Sequence, residues 1–411
     1  MKIAVVHNLP SGGAKRVLHG LIRRWSHLGC AVDVHTVSTA DEGFLGLRSV
    51  ARSVTVEPLR TTAAGVLRST LRYLPPFAPF RISLGDLETA HRRIAERIDA
   101  GAVDVAFVEQ DAYTVSPFVL RFLRGPRVYY CQQPCRLREV VASRRRLPGR
   151  LRSLRAVAER AVAARLEAID RSNARHAPAI LVNSQFSRRN VLTAYGRDAS
   201  VCYLGVDLDL FRPLARGRDD AVLSVGYLSG LKGHDFIVAA LGRIPERHRP
   251  RLIIAANAAE KPWRDHLERL AAAAGVRLEI HTAISDVDLH ELYNTAKLFV
   301  YAAHREPFGL APVEAMACGT PVVAVAEGGV CETVTSGETG ILTERCEAAF
   351  ADAVAALLDD DTGRVRMSQR AIAATRAFWS IERAAERVLD HLRRAAGGPH
   401  TQLLPQGEPG G

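Results

Sequence analysis

The chain has 411 residues, 47% of them hydrophobic and 24% charged, with a net charge of +11. Those proportions describe a soluble globular protein long enough for two domains that each bury a core. No apolar run reaches the length that crosses a bilayer, and the seven cysteines are scattered without zinc-finger spacing, so they read as reduced core residues.

Residues 2–7 read as a short apolar strand, the start of a fold and not a cleavable signal, so a cytoplasmic protein is expected, at most peripheral on the inner membrane face. The loop Asn8-Leu-Pro-Ser-Gly-Gly13 leads into a helix whose apolar Val17, Leu18, Leu21, Ile22, Trp25 and Leu28 recur at helical spacing until Gly29 closes it. The stretch 104–111 is a strand ending in polar residues, among them Glu109 and Asp111. From 134 to 176 twelve arginines stand against four acids, so most of the excess charge sits there. Such a patch attracts nucleic acid, an anionic membrane surface or a phosphorylated acceptor. Only five of the 55 basic residues are lysines, however, so arginine is the default surface cation and a solvated basic helix pair explains the stretch equally well. Its scarcity of aromatics argues against a single-strand stacking platform, and no nucleic-acid partner is expected.

Further on, 179–183 is strand-like, Ser184 can cap a helix beginning near Phe186, and 203–213 is rich in turns. A linker is placed at 205–220. At 221–226 the opening of the chain is repeated: a buried strand meets a glycine, a loop runs to Lys232-Gly233, and a helix follows through Leu241. A helix at 263–274 stopped by Gly275, a strand at 276–281, a helix after Ser285 with Asp288 in capping-box position and a strand at 298–303 continue the alternation. Two such openings predict an α/β protein of two Rossmann-like domains, 1–204 and 221–377, with helices on both faces of parallel sheets. A last helix at 378–396 carries Ala384, Ala385, Val388, Leu389 and Leu392 on one face, and the Gly- and Pro-rich 397–411 reads as a disordered tail.

The chemistry concentrates in Glu306-Pro-Phe-Gly-Leu-Ala-Pro-Val-Glu314. Gly309 permits a tight turn, Pro312 suits a first helical turn, and a helix from about 310 to 317 aims its free N–H groups back at the loop, where an anion is favoured. A phosphate on that backbone, with Glu306 and Glu314 accepting hydrogen bonds from neutral hydroxyls, describes a nucleotide sugar as ligand. Lys232, late in a glycine-flanked loop after a strand, can meet a diphosphate as it gains leaving-group charge.

This segment, together with Phe308, Leu310, Ala315, Gly319, Thr320 and Pro321, resembles the E-x7-E signature of retaining GT-B glycosyltransferases of family 4, and the resemblance runs from Met1 to about Ala396. It implies two Rossmann-like domains facing a central cleft, the first binding the acceptor and the second a nucleotide diphosphate sugar, with the terminal helix crossing back to the first. It further implies that Glu306 orients the donor sugar, Glu314 the ribose, and Lys232 the diphosphate, with Phe308, Gly309 and Leu310 also at the donor; an arginine usual in the family is Tyr227 here. Ser11-Gly12-Gly13-Ala-Lys-Arg16 resembles the family's N-domain glycine loop, placing Gly12, Gly13 and Arg16 at the donor; its spacing is not that of a dinucleotide fingerprint, which counts against an NAD enzyme. Glu109 aligns with a family histidine and can act as general base, with Asp111 as competitor. Asp111, Gln132 and Arg136 are assigned to the acceptor side. Ile284 falls at the base pocket or in the core, and Gly328-Gly329, Glu332 and 337–340 resemble a segment that closes on the donor.

The expected activity is therefore transfer of a sugar, with retention, from UDP or alternatively GDP to a small-molecule or lipid-linked acceptor. No strong nucleophile stands out, which fits a front-face route in which the departing diphosphate helps deprotonate the acceptor. No cofactor or metal is implied, since none of the fourteen histidines forms a ligand pair. A glycosidase would leave the phosphate-directed features unexplained. A GT-B epimerase or phosphorylase, the latter needing a pyridoxal-phosphate lysine, is the enzyme alternative, and an RNA- or membrane-binding module built on 134–176 the other. Oligomeric state is left open.

Overall fold

A computed structural model describes residues 1–59, 82–137, 152–257 and 261–397, with the side chains of 152–159 excepted. The arginine-rich 138–151 and the tail from 398 onward lie outside the described residues. The chain divides into two units. The first comprises Met1–Asn183, Ser187–Cys202 and the chain from Ala385; the second comprises Ser184–Phe186 and Tyr203–Ala384.

The N-terminal unit contains, in order, β1 (Lys2–Asn8), α1 (Gly13–His27), β2 (Ala31–Val37), β3 (Ser53–Glu57), α2 (Leu84–Ala100), β4 (Val105–Asp111), β5 (Arg127–Tyr130), α3 (Arg152–Ala174), β6 (Ala179–Val182), α4 (Gln185–Tyr195) and β7 (Ser200–Val201). Its sheet is parallel, in the order β3-β2-β1-β4-β5-β6-β7. The apolar stripe of α1 is buried, with Trp25 edge-on to Phe107 at 5.3 Å. The helix ends as its sequence demands: Gly29 takes φ 77°, and Cys30 N–H reaches back to the Trp25 carbonyl at 3.0 Å.

The C-terminal unit contains β8 (Asp219–Val225), α5 (His234–Gly242), β9 (Arg251–Ala256), α6 (Lys261–Ala274), β10 (Leu278–Thr282), α7 (Asp286–Thr295), β11 (Ala296–Tyr301), α8 (Leu310–Ala317), β12 (Val322–Val325), α9 (Val330–Thr333), β13 (Gly340–Thr343), α10 (Glu347–Asp359) and α11 (Asp361–Phe378). These strands too are parallel, in the order β10-β9-β8-β11-β12-β13. Because β8, β9 and β11 are covered on both faces, they read as near-continuous apolar runs. Strand β8 begins inside the stretch that reads as linker, and the capping box of Ser285 and Asp288 on α7 is formed. The last helix, α12 (Ile381–Ala395), belongs to the second unit at its start and to the first from Ala385, where Trp25 Nε1 donates to the Ala385 carbonyl at 3.0 Å.

In both sheets the chain order reverses beside the first strand, between β1 and β4 and between β8 and β11. Helices leave to opposite faces there, so the loops after those strands part and open a crevice at their carboxyl ends.

Candidate functional site

In the C-terminal unit the loops after β8 and β11 carry Lys232 and Glu306. A short 3₁₀ turn, Gly230–Lys232, and Gly233 in the left-handed region (φ 67°) send the lysine back over the strand end. A Cβ on Gly233 would lie 2.1 Å from the Ala302 carbonyl, and one on Gly226 would press at 3.2 Å on the Lys232 stem. Close approach of backbone thus requires Gly233, whereas at Gly226 the Lys232 stem would have to give way. Lys232 Nζ donates to both oxygens of Glu306, at 2.8 and 2.7 Å. The pair is partly exposed, 24% and 30%, and such pairs contribute at most about 1 kcal/mol. A multiply charged anion can therefore displace it.

The turn at Gly309 takes φ 85° and opens α8, whose first N–H groups point into the same loop. Beneath it, Gly328 and Gly329 lie flat against 305–308: a Cβ on either would stand 2.2 Å from the carbonyl of Glu306 or of Pro307. Gly329 N–H donates to the Glu306 carbonyl at 2.8 Å, and the Ser184 hydroxyl to that of Pro307 at 2.5 Å. Glu332 accepts the N–H groups of Gln185 and Phe186 and the Tyr203 hydroxyl, at 2.8, 2.9 and 3.0 Å. Arg345, paired with Glu327 at 2.6 and 2.9 Å, also donates to the carbonyls of Ala302 and Ala303 and so fixes the end of β11. Glu314 is buried and accepts from the Tyr293 hydroxyl at 2.7 Å.

At the corresponding corner of the N-terminal unit, Gly12 (φ 140°) precedes α1, Gly13 is its first residue, and Arg16 lies over the Phe44 ring at 5.6 Å. Lys15 of the same loop is fully buried, and its ammonium donates to Glu42 at 2.6 Å. Burial and that ammonium hold His7, the next-to-last residue of β1, down to about 3, so it is uncharged. At the end of β4, Glu109 is 1% exposed. Among the described residues its Oε2 receives long contacts from Gln110 N–H (3.3 Å) and Gln132 Nε2 (3.5 Å), and its Oε1 has no hydrogen-bond partner. Burial pushes this carboxyl up to about 8, against the smaller lowering effect of those two donors. It therefore holds its proton at neutral pH.

Two assignments made from sequence change here. Asp111 is consumed by its own turn, accepting the N–H groups of Tyr113 and Thr114 at 2.7 and 3.0 Å and the Asn8 amide at 2.9 Å, so it does not compete with Glu109. Phe308 is 2% exposed, with its ring edge-on to Trp379 at 5.6 Å, so its side chain anchors the loop from below. Leu310 and Ile284 are half-buried, the latter after Ala283 with φ 55°; Arg136 is also half-buried and follows Cys135, whose N–H donates to Asp170 at 2.9 Å. Sequence reading passed over Tyr293, Arg345 and the role of Lys15. For Lys15 a signal existed, since helical spacing puts it on the face of Leu18 and Ile22.

Two doubly wound parallel sheets, each with glycine-shaped loops at its switch point, define a two-unit α/β protein of the kind that handles nucleotide ligands. The family described as Glycosyltransferase Family 4 matches residues 11–210, and that described as Glycosyl transferases group 1 matches 207–374. The chain belongs to this group 1, family 4 glycosyltransferase family. It is 34% identical to D-inositol 3-phosphate glycosyltransferase of Xylanimonas cellulosilytica over 230 residues, 50% of this chain and 55% of that protein. To the enzyme of that name from Mycobacterium tuberculosis it is 35% identical over 237 residues, 53% and 49% of the two chains. The chain thus spans about half the length of the curated relatives it matches. Among solved structures it resembles sucrose-phosphate synthase from Thermosynechococcus elongatus (TM-score 0.75, 20% identity, 96% of this chain and 98% of that one). It also resembles HepE of Anabaena (0.73, 20%, 96% and 100%). These similarities identify the fold as GT-B.

Proposed function

We propose that this protein transfers a sugar from a nucleotide diphosphate sugar to an acceptor hydroxyl with retention of configuration, UDP being the favoured nucleotide and GDP the alternative. The observation that carries the reading is the meeting of Lys232, Glu306 and the Gly309-capped start of α8 at the carboxyl ends of β8 and β11. A diphosphate takes the helix N–H groups and draws the ammonium from Glu306, which frees that carboxylate to accept hydrogen bonds from sugar hydroxyls. The bond from the anomeric carbon to the diphosphate oxygen breaks as the acceptor oxygen bonds the same face. The departing oxygen takes the acceptor proton, while Lys232 and the helix terminus stabilise its charge. Glu314 serves the ribose hydroxyls from its place beside Tyr293. The UDP and UDP-glucose complexes of HepE support the choice of nucleotide.

The acceptor is a small molecule or a lipid-linked hydroxyl, and the arginine-rich stretch suits the latter through peripheral contact with an anionic membrane. No resident metal or cofactor is invoked. A thermal-shift panel of UDP, GDP, ADP and dTDP sugars tests the donor, because a ligand bound only by the folded chain raises its melting temperature. No shift with any of them overturns the reading, and product with inverted anomeric configuration overturns its retaining part.

A further inference from the structure

The reaction proposed above accounts for every group at the C-terminal corner but gives no place to a buried, half-satisfied carboxyl in the N-terminal unit. Glu109 ends β4 at the switch point, where β1 and β4 diverge. A carboxylate left there would be an uncompensated buried charge, which proteins avoid by pairing it or by leaving it protonated. Pairing is not what the surroundings offer. On β5 Tyr130, and just past it Cys131, are held neutral by burial. Asp170 on α3 bears on Cys131, Arg387 on α12 bears on Tyr130, and His7 on β1 is uncharged. The contacts to Glu109 itself are two amide donors, both long and both on Oε2. The acid is thus the protonated form, with Oε1 unclaimed among the described residues. Gln132, half-buried, holds the other oxygen, Oε2, at 3.5 Å.

We propose that Glu109 is a neutral hydrogen-bond donor that positions an uncharged substrate hydroxyl, selecting a polyol over a phosphate or carboxylate at that point, and is not a general base. This rests on the transferase reading. A hydroxyl matches a carboxylic acid in both directions, accepting from its O–H and donating to its carbonyl oxygen. An anionic group could use only the O–H and would itself be a buried charge, with no cation beside Glu109 among the described residues to compensate it.

The test sets Glu109→Gln beside Glu109→Ala. The glutamine keeps shape, neutrality and a donor, so it is expected to retain much more turnover at neutral pH than the alanine, and the fall in activity expected of the wild type above pH 8 should be absent from it. The alanine leaves the hydroxyl unmet and is expected to raise the KM for the acceptor or donor sugar about tenfold or more. A glutamine variant as inactive as the alanine, with KM unchanged, means that Glu109 works as a base and overturns the proposal. A second readout needs no turnover. Isotope-edited infrared spectra of the whole chain should show a protonated carboxyl band at pH 7 that Glu109→Gln removes, and its absence also overturns the proposal. If the wild type transfers no sugar to any acceptor yet shows the band, the transferase reading has failed and takes the substrate role with it, while the protonated acid stands.

Discussion

The loop that carries Glu306 is shaped from behind by two glycines, and replacing one of them tests whether that shape matters. Gly329 has φ −73°, which any residue adopts, so Gly329→Ala introduces no backbone strain. What it introduces is a methyl 2.2 Å from the Pro307 carbonyl and 2.5 Å from the Phe308 Cα, where ordinary contact begins at 3.4 Å. Backbone must move by roughly 1 Å, and overpacking of this kind costs about 1–3 kcal/mol. The same shift carries Glu306 and Gly309 with it, and about 1 Å at a reacting centre lowers a rate on the order of 100-fold. Gly196→Ala is the control: φ is 66° and nothing lies within 4 Å of the added methyl. It loses about 1–2 kcal/mol to strain alone, with no backbone pressed behind the 305–309 loop. Melting curves and transfer kinetics on both variants separate stability from positioning. If Gly329→Ala transfers sugar at the wild-type rate and KM, the 305–309 loop is not a positioned part of the site.

Lys232→Ala is expected to weaken nucleoside diphosphate binding about 10- to 100-fold by calorimetry, the worth of one hydrogen bond to a charged group, and to lower turnover further. Glu306→Gln is expected to remove most transfer while leaving diphosphate binding intact or tighter, because Lys232 is released from its partner; unchanged transfer in either variant removes that residue from the mechanism. Tyr293→Phe deletes a donor to buried Glu314 and should cost about 1.5–3 kcal/mol in urea melts, and a melt equal to wild type would mean the bond contributes nothing. The wild type is expected to lose stability as pH rises from 4.5 to about 8, since over that window the folded chain keeps the Glu109 proton that the unfolded chain releases. Glu109→Gln should flatten that part of the profile, and an identical slope in the variant would contradict it. Transfer should survive EDTA unchanged, and its loss, restored by a divalent cation, would put a metal in the mechanism.

Features set by neighbours in sequence were legible before the structure. Gly309 and Gly29 announce left-handed turns because other residues strain there, and Ser285 with Asp288 announces a helix start because the cap needs only four residues. The alternation that predicts two parallel sheets is equally local. Partners remote in the chain were not legible. Phe308 beside a glycine turn reads as a ligand-facing ring, and nothing nearby in sequence indicates that Trp379 takes its edge. Asp111 reads as a free acid because the turn that consumes it, with Asn8 from β1, exists only once β1 and β4 pair. Glu332 reads as a turn residue, and its reach to Gln185 and Phe186 spans more than 140 positions.

Electrostatics assign different chemistry to the two corners. In the C-terminal unit Lys232 and Glu306 are partly exposed and, among the described residues, are ion-paired to each other, so they exchange partners at a cost of about 1 kcal/mol. That suits a ligand bearing both a diphosphate and hydroxyls, since it satisfies both halves of the pair at once. In the N-terminal unit charge has been removed or consumed. Lys15 is buried against Glu42, His7 has lost its proton, Glu109 keeps one and Asp111 is spent on its own turn. Arg16, stacked over Phe44, is the cation its glycine loop presents. Beside Glu109 itself none of these groups is left as a free cation for an anion, and its Oε1, without a hydrogen-bond partner among the described residues, is kept for a hydroxyl. Reversing that preference should take one substitution: Glu109→Lys would place an ammonium at the end of β4. It is expected to favour a phosphorylated acceptor over its free alcohol in competition assays if the chain tolerates the buried cation, as a melting curve would show. A folded lysine variant with unaltered preference would mean that the acceptor does not approach Glu109.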